Sequence, residues 1–229
     1  MNFNRRKFLR AAGMGAVAIG TPALLAQTPS RATTPLPGAN DFPGASNATP
    51  PAAPPAAPIV QRTPLMQRAY DALEAHGPQI ARRDVMGVVD FNAHSATKRF
   101  EIVDIASGDV LQSYLVAHGK GSDPAHSGFL TKFSNVEGSN ATSRGAYLVS
   151  NTYIGKYGRS RRLIGLEPDN YLALDRAIVM HGADYVSPGM VSQHGKIGRS
   201  FGCFSVERHL ITEVMDLLPE GCLLFADQV

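Results

Sequence analysis

The chain has 229 residues, of which 18% are charged, and a formal net charge of +3 at pH 7. Four of its basic residues lie within the first ten positions and would be removed together with an export signal. The charge of the remaining chain gives no reason to expect a nucleic-acid partner. Its two cysteines and seven histidines lack the close paired spacing of metal ligands, so no metal site is predicted.

The N-terminus has the pattern of an export signal. Arginines at 5 and 6 precede Phe-Leu and an apolar run, 11–26, that is rich in Ala and Gly. This order resembles a twin-arginine signal. We interpret residues 1–26 as a cleavable signal peptide and expect a periplasmic or otherwise exported protein with no stable membrane span after cleavage. A retained membrane anchor is the alternative, although the run is shorter than the roughly 20 apolar residues that span a bilayer.

Residues 27–62 differ in composition from the C-terminal part of the chain. Proline pairs alternate with alanine pairs through 50–58. Such a segment buries too little apolar surface to offset its conformational entropy, and we expect an extended, disordered tether. Residues 63–229 remain for a single domain with its own core.

The apolar patterns of this domain predict mostly strands, with a helix near each end. The β architecture is expected to be mainly antiparallel, because the strands do not alternate with helices. Helices are predicted over 64–81 and 207–218, strands over 87–91, 99–105, 110–116, 144–150, 177–180 and 221–226, and a hairpin turn at 107–109.

Cys203 is the candidate nucleophile. An exported protein normally pairs its thiols, so a cysteine in the run Ser-Phe-Gly-Cys with His181-Gly182 upstream indicates thiolate chemistry. We expect His181 to stand at the end of the 177–180 strand as the base. Gly202 lets the backbone approach a substrate closely, and the N–H groups around Gly202 and Cys203 are candidates for an oxyanion hole. A helix that begins just after Cys203 and is capped by Ser205 would lower the thiol pKa.

A disulfide is the competing interpretation of the same cysteine. Cys222 lies in the apolar run 221–226, which reads as a buried strand, and an oxidising compartment favours pairing. A Cys203–Cys222 bond would make the domain a catalytically inactive cell-wall-binding module.

Two motifs resemble the catalytic domain of the L,D-transpeptidases (YkuD type), and within it the murein L,D-transpeptidase subfamily. One is Val-Met-His-Gly-Ala-Asp-Tyr-Val at 179–186, and the other is Gly-Arg-Ser-Phe-Gly-Cys at 198–203. Glycine-rich loops at 118–121 and 155–158 also look like that subfamily. The resemblance extends over about 85–226 and implies that family's β-sandwich or barrel domain.

The resemblance implies an enzyme that acts on peptidoglycan stem tetrapeptides. Cys203 would form a thioacyl-enzyme with release of the terminal D-Ala, and His181 would act as the base. A second stem amine would then give a 3–3 crosslink, and water would give L,D-carboxypeptidase activity. Carbapenems would acylate the same cysteine, and no cofactor is implied. Supporting roles would fall to Gly182, Ser200 and Gly202, and substrate contacts to His118, Tyr185 and Arg199.

The chain departs from the common family motif on both sides of the cysteine. Phe201 stands where the motif has His, and Ser205 stands where it has Arg. Any orienting role of that His is lost or moved, and we expect Arg199 to be the candidate for binding a substrate carboxylate.

Overall fold

The computed structural model describes residues 62–229. The predicted signal peptide, 1–26, and the predicted tether up to residue 61 lie outside the described residues. Within 62–229, none of the helices has both the length and the apolar character needed to cross a bilayer.

The described residues form eight strands and three helices. The helices are α1 (Pro64–Ala75), α2 (Pro188–His194) and α3 (Ile211–Leu217). The strands are β1 (Val85–Asp90), β2 (Phe100–Asp104), β3 (Val110–Tyr114), β4 (Gly145–Gly155), β5 (Gly158–Gly165), β6 (Val179–Ala183), β7 (Phe204–Glu207) and β8 (Leu223–Asp227).

All eight strands belong to one mixed sheet in the order β3-β2-β1-β8-β4-β5-β6-β7. Two neighbouring pairs, β1 with β8 and β6 with β7, are parallel, and the other five pairs are antiparallel. The predicted fold class, mainly β with flanking helices, is therefore confirmed, as is the β2–β3 hairpin.

The two ends of the strand order meet. The segment that follows β3 bridges to β7 and to the loop before it, at Ala117 with Ser205 and at Gly119 with Ser200. The Ala117 N–H donates to the Ser205 carbonyl at 2.9 Å. Ser205 is consequently held between β6 on one side and the segment after β3 on the other.

The core has an interior side and a side covered by α1. Strand β8 shows the division, because Leu224 and Ala226 belong to the interior cluster while Leu223 and Phe225 face the α1 cluster. A strand buried on both faces has a continuous apolar sequence, which is why 221–226 could be recognised.

Several predicted boundaries differ from the structure. Helix α1 ends at Ala75 rather than at 81, because Gly77 and Pro78 follow its C-cap and proline cannot continue the helical hydrogen bonding. Helix α3 starts at Ile211, four residues later than predicted. Strand β5 and helix α2 were not predicted; four charged or hydroxyl residues at 159–162 hid the strand period of β5.

Candidate active site

The candidate nucleophile and base lie on neighbouring parallel strands. In the β6–β7 register, Met180 pairs with Phe204 and His181 pairs with Ser205, which puts Cys203 directly before β7. Cys203 and His181 thus form a diagonal pair. His181 stands in the middle of β6, not at the end of a strand as predicted.

The chain after Cys203 is a strand, so the helix predicted there was wrong. Phe204, Ser205 and Val206 are buried and pair with β6, which leaves no helix N-terminus to point at the sulfur. Burial raises the pKa of the Cys203 thiol. The backbone N–H of Val179 and the charges of Lys156 and Arg176 oppose this effect only in part. The thiol donates to the Ala177 carbonyl across 3.6 Å.

Two hydrogen bonds fix the tautomer of the His181 ring. Its Nδ1 lies 3.0 Å from the Gly182 carbonyl oxygen, and its Nε2 lies 2.9 Å from the Ser205 hydroxyl. A carbonyl oxygen can only accept, so Nδ1 carries the proton and the Nε2 lone pair accepts from Ser205. Burial is the main reason that the pKa of His181 is lowered, and the charges of Arg208 and Lys156 add to it. The ring is therefore a neutral base with its lone pair on Nε2.

No hydrogen bond joins His181 directly to Cys203 among residues 62–229. The Nε2 atom of His181 is engaged by Ser205, and the sulfur of Cys203 is engaged by Ala177. The two groups are neighbours whose polar atoms have other partners in this resting arrangement.

Ser200 shapes the turn that carries the cysteine. Its hydroxyl donates to the Cys203 carbonyl at 2.7 Å and accepts from the Gly202 N–H at 3.1 Å. Gly202 has a φ of 116°, and a Cβ there would lie 2.6 Å from the Ile178 side chain and 2.8 Å from the Ala141 carbonyl oxygen. A glycine is required at this position by both conformation and space.

One of the two predicted oxyanion donors is already used. The Gly202 N–H donates to Ser200. The Cys203 N–H takes no part in the loop and turn hydrogen bonds of the described domain, which leaves it as the candidate donor.

The tip of the β4–β5 hairpin covers the imidazole. The Tyr157 ring stacks on the His181 ring with centroids 4.3 Å apart and planes 14° apart. The Lys156 ammonium lies 4.8 Å from the Tyr157 centroid. The hairpin therefore gives His181 an aromatic neighbour and brings a positive charge to the mouth of the site.

A match to the L,D-transpeptidase catalytic domain family covers residues 60–226. The chain belongs to this family. The predicted enzyme class, L,D-transpeptidase, is confirmed at the level of the family. None of the curated proteins is significantly similar in sequence to this chain.

Solved structures with a similar fold are L,D-transpeptidases. One is from Mycobacterium smegmatis (15% identity, 63% of this chain, 58% of that chain, TM-score 0.39). Another is LdtMt1 in complex with imipenem (14%, 63%, 59%, 0.37). A third is L,D-transpeptidase 3 from Mycobacterium tuberculosis with a faropenem-derived adduct (12%, 63%, 60%, 0.39). The chain spans less than two thirds of the length of each of these structures.

The three residues predicted to contact substrate differ in their surroundings. His118 is 1% exposed and lies between Arg99 and Asp123, so it faces the protein and not a substrate. Arg199 donates to the backbone carbonyls of Asp123 and Pro124, which ties its guanidinium to a loop. Tyr185 is half-buried, and its hydroxyl lies 2.9 Å from that of Ser205.

The structure gives no support to the disulfide alternative. Cys203 and Cys222 are both free thiols. Cys222 is fully buried in the interior core cluster, as predicted for a small core residue, and burial raises its pKa to about 11.

The two departures from the family motif have different consequences. Phe201 is 58% exposed beneath the ammonium of Lys120, so its ring takes over no polar contact at the thiol. Ser205 instead binds the imidazole of His181. The sequence singled out Ser205 as a helix cap and as a departure from the motif, but not as a partner of His181, because that contact depends on strand pairing.

Arg176 is a site residue that the sequence did not indicate. Its guanidinium donates to the carbonyls of Ser134 and Ala141 at 2.7 and 2.6 Å, next to the turn that holds Gly202. It precedes Ala177, whose carbonyl accepts from the thiol. No motif marks it, because its partners come from a loop more than 30 residues away.

Proposed function

We propose that this protein is an exported cysteine L,D-transpeptidase that acts on peptidoglycan stem tetrapeptides. The observation that carries the proposal is the placement of Cys203 directly before β7, the parallel neighbour of the strand that carries His181, with His181 in the tautomer whose Nε2 can accept a proton. Membership of the L,D-transpeptidase catalytic domain family supports the reaction class.

The first half-reaction forms a thioester. The Ser205 hydroxyl turns its proton away from His181 Nε2, the sulfur of Cys203 attacks the carbonyl carbon of the third stem residue, and the thiol proton passes to Nε2. The oxyanion of the tetrahedral intermediate is stabilised by the Cys203 N–H. When the peptide C–N bond breaks, the departing D-Ala amine takes the proton from His181.

The second half-reaction reverses these roles. The amine of another stem attacks the thioester carbon and gives a proton to His181, and the sulfur leaves with that proton as a thiol. The product is a 3–3 crosslink. Water in place of the amine gives the tripeptide and makes the enzyme an L,D-carboxypeptidase.

The resting site suits proton transfer that accompanies attack. The pKa of Cys203 is raised and that of His181 is lowered, and burial is the first cause of both shifts. Both groups are therefore uncharged at neutral pH, and a preformed thiolate–imidazolium pair is disfavoured. A substrate that brings its carbonyl to the sulfur allows the proton to move as the C–S bond forms.

Acylation by carbapenems follows from the same chemistry. A strained β-lactam carbonyl is open to attack by Cys203, and the resulting thioester keeps the ring-opened drug attached. One structure with a similar fold contains imipenem. Imipenem is accordingly a suitable probe for the nucleophile of this protein.

Mass spectrometry of the purified full chain tests the proposal. Incubation with imipenem is expected to add the drug's mass on a peptide that contains Cys203, and a disaccharide-tetrapeptide is expected to lose D-Ala or to dimerise. Cys222→Ala is the matched control, since it removes the other buried thiol and should keep both results. Cys203→Ala should lose both. Turnover that survives Cys203→Ala would refute the assignment of the nucleophile.

Export is tested separately. Replacing both Arg5 and Arg6 with Lys should block a twin-arginine route, since that route reads the arginine pair. The protein should then accumulate in the cytoplasmic fraction, whereas the unaltered chain should be found in the cell envelope. Equal envelope levels of both chains would contradict the route.

A further inference from the structure

Ser205 occupies a fully buried position between two polar side chains of the site. Its hydroxyl lies 2.9 Å from His181 Nε2 and 2.9 Å from the Tyr185 hydroxyl. The contact is imposed by the fold, because Ser205 pairs with His181 across β6–β7 and with Ala117 on its other side. Ser205 and His181 are buried and Tyr185 is half-buried, so the two hydrogen bonds of Ser205 lie in the interior of the site.

The chain of groups is satisfied when His181 is neutral. The Nδ1–H donates to Gly182, so Nε2 must accept, and the proton in that bond comes from Ser205. The Ser205 oxygen can then accept from the Tyr185 hydroxyl. Each donor in this order has one acceptor.

The same chain is satisfied when His181 is charged. Nε2–H then becomes a donor, and the Ser205 oxygen can accept from it. The Ser205 hydroxyl turns its proton toward the Tyr185 oxygen, which is able to accept. No heavy atom has to move, because hydroxyl protons rotate about their C–O bonds.

We propose that Ser205 and Tyr185 are positioning residues that form a reversible hydroxyl relay, which holds His181 Nε2 hydrogen-bonded in both of its protonation states. The proposal rests on the proposed function, in which Nε2 takes up a proton and later releases it. Between these events a buried imidazolium needs an acceptor for its Nε2 proton, because an unpaired buried charge is costly. Arginine, which the common motif has at position 205, is a donor only and could not accept that proton.

Among the described residues, Ser205 is the group that is hydrogen-bonded to His181 Nε2. The Ser160 hydroxyl donates to the Gly158 carbonyl, and the Asp184 carboxylate is engaged by Arg208. The polar and titratable groups on the elements around His181 are Lys156 and Tyr157 on the β4–β5 hairpin, Ser160 on β5, Asp184 and Tyr185 after β6, Cys203 before β7, Ser205 on β7, and Arg208 after β7.

NMR titration of His181 in the full chain tests the relay without turnover. A charge-assisted hydrogen bond is roughly twice as strong as a neutral one, so Ser205 stabilises imidazolium more than imidazole. Ser205→Ala is therefore expected to lower the pKa of His181 below that of the unaltered protein. Tyr185→Phe should lower it by less, because it removes only the outer acceptor. Ser205→Thr, which keeps the hydroxyl, should restore the original titration.

Kinetics then connect the relay to the reaction. Ser205→Ala is expected to reduce kcat for D-Ala release by about tenfold with KM nearly unchanged, since the difference between charged and neutral hydrogen bonds acts on the proton transfer and not on substrate binding. The acid limb of its pH–rate profile should move to lower pH. Thermal unfolding of each variant reports its folded state.

The outcomes separate this proposal from the proposed function. A His181 titration that is unchanged or raised in both Ser205→Ala and Tyr185→Phe overturns the relay, whatever the activity. The His181 titrations of the unaltered protein and its variants can follow the expectation while the unaltered protein gives no imipenem adduct and no D-Ala release. That result supports the relay and refutes the proposed reaction.

Discussion

The carbonyl oxygen of Ala177 lies 3.6 Å from the sulfur of Cys203 and accepts from its thiol. Ala177 holds this orientation with a φ of 53°, in the left-handed region that costs an L-residue about 1–2 kcal/mol. Hydrogen bonds from the backbone N–H groups of Ala177 and Ile178, to Leu174 and Ala173, hold the turn in place. A backbone under local strain thus supplies the acceptor for the resting thiol, while burial keeps the thiol protonated by raising its pKa.

The first prediction concerns the reactivity of this thiol. Because burial raises the pKa of Cys203, the thiolate is scarce at neutral pH, and alkylation by iodoacetamide should be slow at pH 7 and should accelerate through alkaline pH. Peptide mapping after timed quenching gives the rate at each cysteine.

Cys222 provides the internal comparison for that experiment. It is fully buried in the core, whereas Cys203 is 8% exposed, so Cys203 should be labelled first at every pH. Rapid labelling of Cys203 at pH 6 would show that the thiol is ionised at rest and would contradict the prediction.

The second prediction uses two glycines that share a positive φ. At Gly202 an added Cβ would clash with Ile178 and Ala141, whereas at Gly138 nothing lies within 4 Å. Gly138→Ala should cost about 1 kcal/mol from backbone conformation alone. Gly202→Ala should cost roughly 1–3 kcal/mol more through overpacking, and should also reduce acylation by displacing Cys203.

Urea unfolding and imipenem labelling measure the two effects. Equal losses of stability in both variants would mean that the space around Gly202 is not restrictive.

The motif residues of the site could be predicted from the sequence, whereas the contacts around them could not. Cys203 and His181 were found because thiol chemistry requires those residue types in a glycine-rich setting. The partner of His181 is Ser205, which the sequence placed on a helix. The run Phe204–Glu207 reads equally well as a strand or as the start of a helix. Only its pairing with β6 shows that it is a strand.

His118 shows the same limit in another way. Its run, His-Gly-Lys-Gly, is polar and glycine-rich, which is typical of exposed loops. Closure of the sheet places it between Arg99 and Asp123, and these partners make a buried histidine tolerable. Local composition carries no information about such partners, because they come from distant strands.

The third prediction concerns the ring that covers the base. Removing the Tyr157 ring exposes His181 to water, and since burial is the main cause of its lowered pKa, Tyr157→Ala should raise that pKa. The imidazole must be neutral to accept a proton, so the acid limb of the pH profile of kcat/KM should move to higher pH. Tyr157→Phe keeps the stacked ring and should leave the limb in place. A shift of equal size in both variants would instead implicate the Tyr157 hydroxyl.

The last prediction concerns stability in acid. Burial lowers the pKa of His118 to about 4, and the charge of Arg99 adds to the effect against the opposing hydrogen bond with Asp123. An unfolded histidine titrates near 6.5, so between these two values the unfolded chain binds a proton that the folded chain does not. The free energy of unfolding should therefore decrease as the pH falls from about 6.5 to 4, by on the order of a few kcal/mol.

Urea unfolding at several pH values measures this dependence. His118→Gln should flatten the slope across that window, because it removes the titrating group, although its absolute stability should be lower since Arg99 and Asp123 lose their partner. His194→Gln makes the same substitution at an exposed histidine and serves as the matched control. A slope as steep in His118→Gln as in the unaltered protein would assign the acid sensitivity to other groups. Asp123 acts mainly below this window, because the hydrogen bonds from Ser127 and Gly128 outweigh burial and hold its pKa at about 2, so its contribution is lost as the pH falls from about 4 to about 2.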